Sequence, residues 1–145
     1  MAQRGYASSA QYPRRGSGSV KESTKQLLAR AADVLEAAEI LLTNGKTEIA
    51  AGRAYYAMFY VAEALLNEKG FQFGKHGNVL AAYGQHFAKT KVLDPKYHRW
   101  LITAFDQRQI GDYGLNPDIQ SEVVVEIINQ AQEFLDTAGR YFESQ

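Results

Sequence analysis

No cysteine occurs among the 145 residues, so disulfides and thiolate-held zinc or iron-sulfur centres are excluded, and a reducing compartment is permitted. Proline is scarce, at three, and both Pro95 and Pro117 follow a capping residue instead of interrupting an apolar pattern. Long apolar runs are missing: none approaches the ~20 residues that span a bilayer, and the N-terminus lacks the apolar core of a signal peptide. The chain is therefore expected to be cytoplasmic, without membrane contact. There is no Walker-type glycine loop, G-x-S-x-G elbow, H-E-x-x-H pair or EF-hand loop, which sets aside the chemistries those motifs serve. The histidines are three, His76, His86 and His98. Only His98 stands within one turn of another ligand-type residue, Asp94, whose capping role competes, so neither a metal nor a cofactor is expected.

What is present fits one globular domain. Hydrophobic residues make up 46% and charged ones 22%, an ordinary balance, and the length suffices to bury a core without metals or disulfides. The formal net charge of zero hides an uneven distribution. Residues 1–20 carry Arg4, Arg14 and Arg15 and no acid; Lys69 to Arg108 holds seven Lys or Arg against Asp94 and Asp106; from Gln109 onward seven acids face Arg140 alone. A basic middle segment attracts phosphate, whereas an acidic C-terminal helix opposes a broad nucleic-acid footprint. Solvated helix faces explain the same runs without any ligand.

Residues 1–20 show no usable period and predict a flexible tail, leaving 21–145 as an all-α domain. Helix one starts at Ser23 or Thr24, carries Leu27 or Leu28, Ala31, Leu35, Ala38 and Leu42 on one stripe, and stops at Asn44-Gly45. Thr47 caps helix two, which Gly70 ends. Helix three spans His76 to Phe87. Asp94-Pro95 opens helix four, which ends around Gly111 to Gly114, and Asn116-Pro117 opens helix five. The stripe Ile119, Val123, Ile127, Ala131, Phe134 or Leu135, Ala138 and Phe142 outweighs the local strand propensity of residues 123–128. No strand, internal repeat or second domain is indicated.

Helix four turns polar where it should stay apolar. Tyr97, Leu101, Ala104 and Phe105 form a stripe whose next places are Arg108 and Asp112. An arginine there needs an anion, either a ligand or a structural partner such as Asp112, although arginine four residues before the acid is the weaker orientation on a helix. On helix two, Arg53, Tyr56 and Tyr60 share a face, forming either a polar lining or core rings with their hydroxyls at the edge. Lys75, His76 and Arg99 are candidates to line a phosphate-binding cleft. His76 titrates near neutrality and suits a proton carrier, and at a helix start it serves equally well as a structural hydrogen-bonding group.

Three stretches in order resemble the HEPN superfamily: Arg53-Ala54-Tyr55-Tyr56-Ala57-Met58-Phe59, Lys75-His76-Gly77-Asn78-Val79, and Arg108-Gln109-Ile110-Gly111-Asp112-Tyr113. More closely they are similar to its small stand-alone members, often encoded beside a minimal nucleotidyltransferase, over a span from about Ser23 to Tyr141. The resemblance implies a five-helix up-and-down bundle, a homodimer, a minimal nucleotidyltransferase as partner and a toxin-antitoxin-like setting linked to RNA or nucleotide. Many superfamily members are metal-independent endoribonucleases in which an arginine is followed, four to six residues on, by a histidine near the dimer seam. Here no histidine follows Arg108, and Asp112 or Tyr113 takes the place. Attack by a ribose 2′-hydroxyl needs a base near neutral pH and a cation for the developing charge. Arg108 supplies the cation, whereas Tyr113, ordinarily near ~10, and Asp112, near ~3.9, are poor bases. The resemblance thus leaves three roles. One is a ribonuclease centred on Arg108, Asp112 and Tyr113, with His76 as a distant base. Another is a non-catalytic subunit binding RNA or nucleotide through Arg53, Tyr56, Lys75, His76 and Arg99. The third is a purely structural or dimerisation module.

Overall fold

The computed structural model describes residues 19–73, 76–113 and 118–145, with the backbone alone at 76–77 and 111–113. Its elements are α1 (Glu22–Thr43), α2 (Thr47–Glu68), α3 (His76–Tyr83), a π-helical segment (Gly84–Ala88), α4 (Lys96–Tyr113) and α5 (Ser121–Glu143). No strand occurs among the described residues, and the five helices form the expected all-α bundle. The tail expected over 1–20 lies, up to residue 18, outside the described residues; Val20 already packs into the core.

Helix α2 is the hub, packed against α1, α3, α4 and α5. Its sequence explains why. Ala50, Ala51, Ala54, Ala57, Ala62 and Ala64 let neighbouring backbones come close, while Tyr55, Met58, Leu65 and Leu66 fill the space between them, all fully or almost fully buried. Helix α5 is one-sided by contrast: Val124, Ile127, Ala131, Phe134, Leu135, Ala138 and Phe142 face inward. The valine-rich run is helical, as the long stripe requires.

The expected stops hold. Gly45 (φ 77°) and Gly70 (φ 93°) leave α1 and α2 through the left-handed region, which glycine enters without a Cβ clash. Asp94 Oδ1 accepts the Lys96 amide at 2.9 Å and caps α4. One expected cap and one expected helix start differ. Thr47 is the first residue of α2, with Lys46 at the cap position and no side-chain bond. Ser23 and Thr24 sit inside the first turn of α1 and reach across to the end of α2: Asn67 Nδ2 donates to Ser23 Oγ (2.8 Å) and Thr24 Oγ1 (3.0 Å), and Thr24 donates to Glu68 Oε1 (2.8 Å). Lys21 adds its amide to Glu68 and its ammonium to the Asn67 carbonyl. The start of α1 is thereby clasped to the end of α2, as an antiparallel pair joined by three residues demands. The Asn116-Pro117 cap lies outside the described residues, and α5 runs from Ser121.

The third expected helix is regular only to Tyr83 and then widens into the π-helical segment. At that point Gly84 meets α4 so closely that a Cβ there would stand 2.6 Å from the His98 ring. Hydrophobic period carries no information about such an inserted residue.

Candidate functional site

Helix α2 presents Arg53, Tyr56 and Tyr60 along one face, and α4 brings Arg108 to them. The Arg53 guanidinium carbon lies 4.9 Å from the centroid of the Tyr56 ring, and that of Arg108 lies 5.2 Å from the same ring. All three residues are half-buried. Arg108 Nε itself is closed to solvent. The next step along the face repeats the pattern, with Arg30 of α1 set 5.5 Å from the Tyr60 ring. Each such contact is worth ~0.5–2 kcal/mol, more as water is excluded.

Behind this face stands a wall of rings. Tyr55, fully buried, packs edge-on against Phe105 of α4 at 5.5 Å and lies 5.2 Å from Tyr56. Burial pushes its phenol far above the ordinary value, Tyr56 adds to the shift, and Arg108 opposes it. Tyr55 is therefore a neutral phenol at any physiological pH and no proton acceptor.

Two guanidinium forks converging on one ring give a site of fixed positive charge whose donors suit a planar or tetrahedral oxyanion. A guanidinium is a fixed cation with donors and no acceptor, so this pair holds and neutralises charge instead of moving protons. Asp112 and Tyr113 follow Arg108 in the last turns of α4, but their side chains lie outside the described residues, as does that of His76 at the start of α3. Lys75 lies outside them altogether.

Arg99 is not brought to this site. Nine residues separate it from Arg108, which is two and a half helical turns, so the two point to opposite sides of α4 and stand about 14 Å apart along its axis. Arg99 instead borders a groove with Lys89, Lys91 and His98. Sequence reasoning missed Arg30, which lies off the apolar stripe of α1, and Tyr55, whose neighbour Tyr56 drew the attention. Among the described residues no three His, Asp or Glu converge as metal ligands, and no helix is long and apolar enough to cross a membrane.

An all-helical bundle with an arginine near the end of α4 facing an Arg-x-x-Tyr face on α2 defines a class, that of small helical domains carrying a cationic seam. Residues 24–141 match the HEPN domain family, and the chain belongs to it. A Thermotoga maritima relative, named "UPF0332 protein", is 38% identical over 114 residues, covering 79% of this chain and 86% of its own. A Methanocaldococcus jannaschii relative, named "Putative toxin MJ0142", is 31% identical over 125 residues, covering 86% and 85%. A second protein from that organism, "Putative toxin MJ0605", is 32% identical over 117 residues, covering 81% and 87%.

Proposed function

We propose that this HEPN protein binds RNA as the toxin-like member of a pair whose other member is a minimal nucleotidyltransferase, and that it does so as a homodimer. The observation that carries the RNA reading is the pair of guanidiniums, Arg53 and Arg108, held within about 5 Å of the Tyr56 ring. Two like charges gathered on one ring raise the local potential, and a phosphodiester bound by their forks relieves it. The toxin names of two relatives support the setting, and the resemblance to stand-alone HEPN proteins supports the partner. Binding is favoured over cutting because the described cations supply charge and no base, and because no histidine follows Arg108.

Salt-dependent binding of a labelled oligoribonucleotide tests this reading. Arg53→Ala and Arg108→Ala are each expected to weaken binding and to flatten its dependence on salt by roughly one charge. Tyr56→Phe, which keeps the ring, should bind as the parent does; Tyr56→Leu should not. Binding that ignores salt or survives both arginine changes refutes the proposal. Cleavage by the unmodified chain in chelator, lost in Arg108→Ala without loss of fold, would instead establish the ribonuclease role.

A second reading has its own support in the solvent-free Nε of Arg108. If Arg108 serves to hold α4 on α2, Arg108→Ala should cost about 3 kcal/mol and lower the melting temperature, and adding Asp112→Ala should recover part of the loss. Unchanged melting removes that reading.

A further inference from the structure

The face of α2 that carries Arg53, Tyr56 and Tyr60 continues one turn further to Glu63 and then to Asn67, so its charge changes sign along its length. Glu63 and Asn67 line a pocket of about 260 Å³ together with Phe71, Gln72 and Phe73 from the stretch that follows the helix. Gly70 builds this place. Its φ of 93° turns the chain back at the end of α2, and the Phe71 amide returns to the Leu66 carbonyl at 3.0 Å. The Phe71 and Phe73 rings then stand 6.2 Å apart and nearly parallel, at 17°. His86 of the π-helical segment stacks on Phe71 at 4.4 Å and fixes that ring.

The polar groups of the pocket are acceptors in want of a donor. Asn67 uses both Nδ2 protons on Ser23 and Thr24, which leaves its Oδ1 as an acceptor. Glu63 is half-buried and has neither a hydrogen bond nor an ion pair among the described residues. Burial holds its carboxyl above the ordinary glutamate value, and Arg30, whose guanidinium lies 5.5 Å from the Tyr60 ring, offsets only part of that shift. Glu68 is the contrasting case, since it already accepts from the Lys21 amide and the Thr24 hydroxyl. A half-buried carboxylate is costly without a partner, and two phenyl faces beside it attract positive charge.

We propose that this pocket binds a guanidinium head group, its N–H donors on the Glu63 carboxylate and Asn67 Oδ1 and its plane against the Phe71 and Phe73 rings. The guanidinium is planar, weakly hydrated and rich in donors, which suits one carboxylate, one amide oxygen and aromatic faces. A hard divalent metal ion is disfavoured, because it takes six or more oxygen ligands and the rings supply none. The volume falls just below the ~300–1,000 Å³ of sites that enclose a whole small molecule, and so fits a side-chain head better. The head belongs either to Arg14 or Arg15 of this chain or to a free alkylguanidinium, which share this chemistry. Arg15 stands four residues before Ser19, a reach of up to ~14 Å. Lys21, two residues after Ser19, already bonds the Asn67 carbonyl. The site is independent of the RNA reading, since it uses the opposite charge at the other end of the α2 face.

The test is an NMR titration with ethylguanidinium of the full chain and of its Arg14→Ala/Arg15→Ala variant, following the amide and ring signals of Phe71 and Phe73 at constant ionic strength. Saturable shifts are expected, with sodium at equal concentration unable to reproduce them. Glu63→Gln, made in the double variant, is expected to weaken ethylguanidinium at least tenfold, and Phe73→Leu to weaken it less. Without ligand, Glu63→Gln should melt no lower than the parent, because it removes a half-buried charge, so that lost binding is not lost fold. Tighter ethylguanidinium binding in the double variant than in the full chain assigns Arg14 or Arg15 as the competing occupant; equal binding assigns the free cation. The proposal is overturned by absence of saturable shifts in the double variant, by sodium producing the same shifts, or by unchanged affinity in Glu63→Gln.

Discussion

A buried phenol that finds no acceptor costs more than the phenyl ring of the same shape. Tyr83 is in that position: it is fully buried, stacks on Phe87 at 5.3 Å and meets Phe134 edge-on at 5.4 Å, yet its hydroxyl has no hydrogen-bond partner among the described residues. Burial pushes its pKa far above the ordinary value, and Tyr97 and Asp94 add to the shift. Ring packing is therefore the whole of its contribution. Tyr83→Phe is expected to leave stability unchanged or to raise it by about 1 kcal/mol, seen as an equal or higher midpoint in urea. A fall of more than about 1 kcal/mol would show that the hydroxyl serves the fold. Tyr97 is the opposite case, since its hydroxyl lies 3.0 Å from Glu133 Oε2 and 2.8 Å from Thr137 Oγ1.

Between elements, the α4–α5 contact is tied by Glu133, which accepts from both Lys96 and Tyr97. Those two bonds, Lys96 first, hold its carboxyl below the ordinary glutamate value. A carboxyl with a lower pKa in the folded state adds stability above its unfolded pKa, and this is lost as pH falls through the folded value. Glu133→Gln should accordingly melt lower than the parent at neutral pH and match it once the pH has fallen well below the ordinary glutamate value. A gap that persists in acid would assign the loss to packing. The same elements show what sequence conveys and what it does not. The helices, the glycine stops at Gly45 and Gly70 and the Asp94 cap were legible because each is encoded locally, in a period or in one residue's backbone preference. Arg53 and Tyr56 were legible as a shared face for the same reason. Their meeting with Arg108 was not, because the rotation of α4 against α2 is fixed by packing that no single stripe records. Nor was the π-helical segment, which shifts register without changing composition.

Across the whole molecule, Ile49 of α2 and Ile102 and Ile110 of α4 remain exposed, at 56%, 38% and 45%, on the two helices that carry the cationic seam. Ile40 of α1 and Val125 of α5 are as exposed, at 57% and 45%, so it is the cationic seam beside the α2 and α4 isoleucines that makes these two helices the surface to test for the proposed homodimer. Sedimentation is expected to show a dimer at about tens of micromolar, and Ile110→Glu should shift it to monomer without lowering helicity. A monomer throughout that range would remove the homodimer from the proposed function. The clasp joining Lys21, Ser23 and Thr24 to Asn67 and Glu68 bears on motion at this scale. Two ends far apart in sequence share one set of side-chain bonds, so neither frays alone. In deuterium exchange the amides of the first turn of α1 and the last turn of α2 should open as one cooperative unit. Glu68→Ala should quicken both together and leave the amides around Gly45, at the other end of the helix pair, exchanging at their former rate.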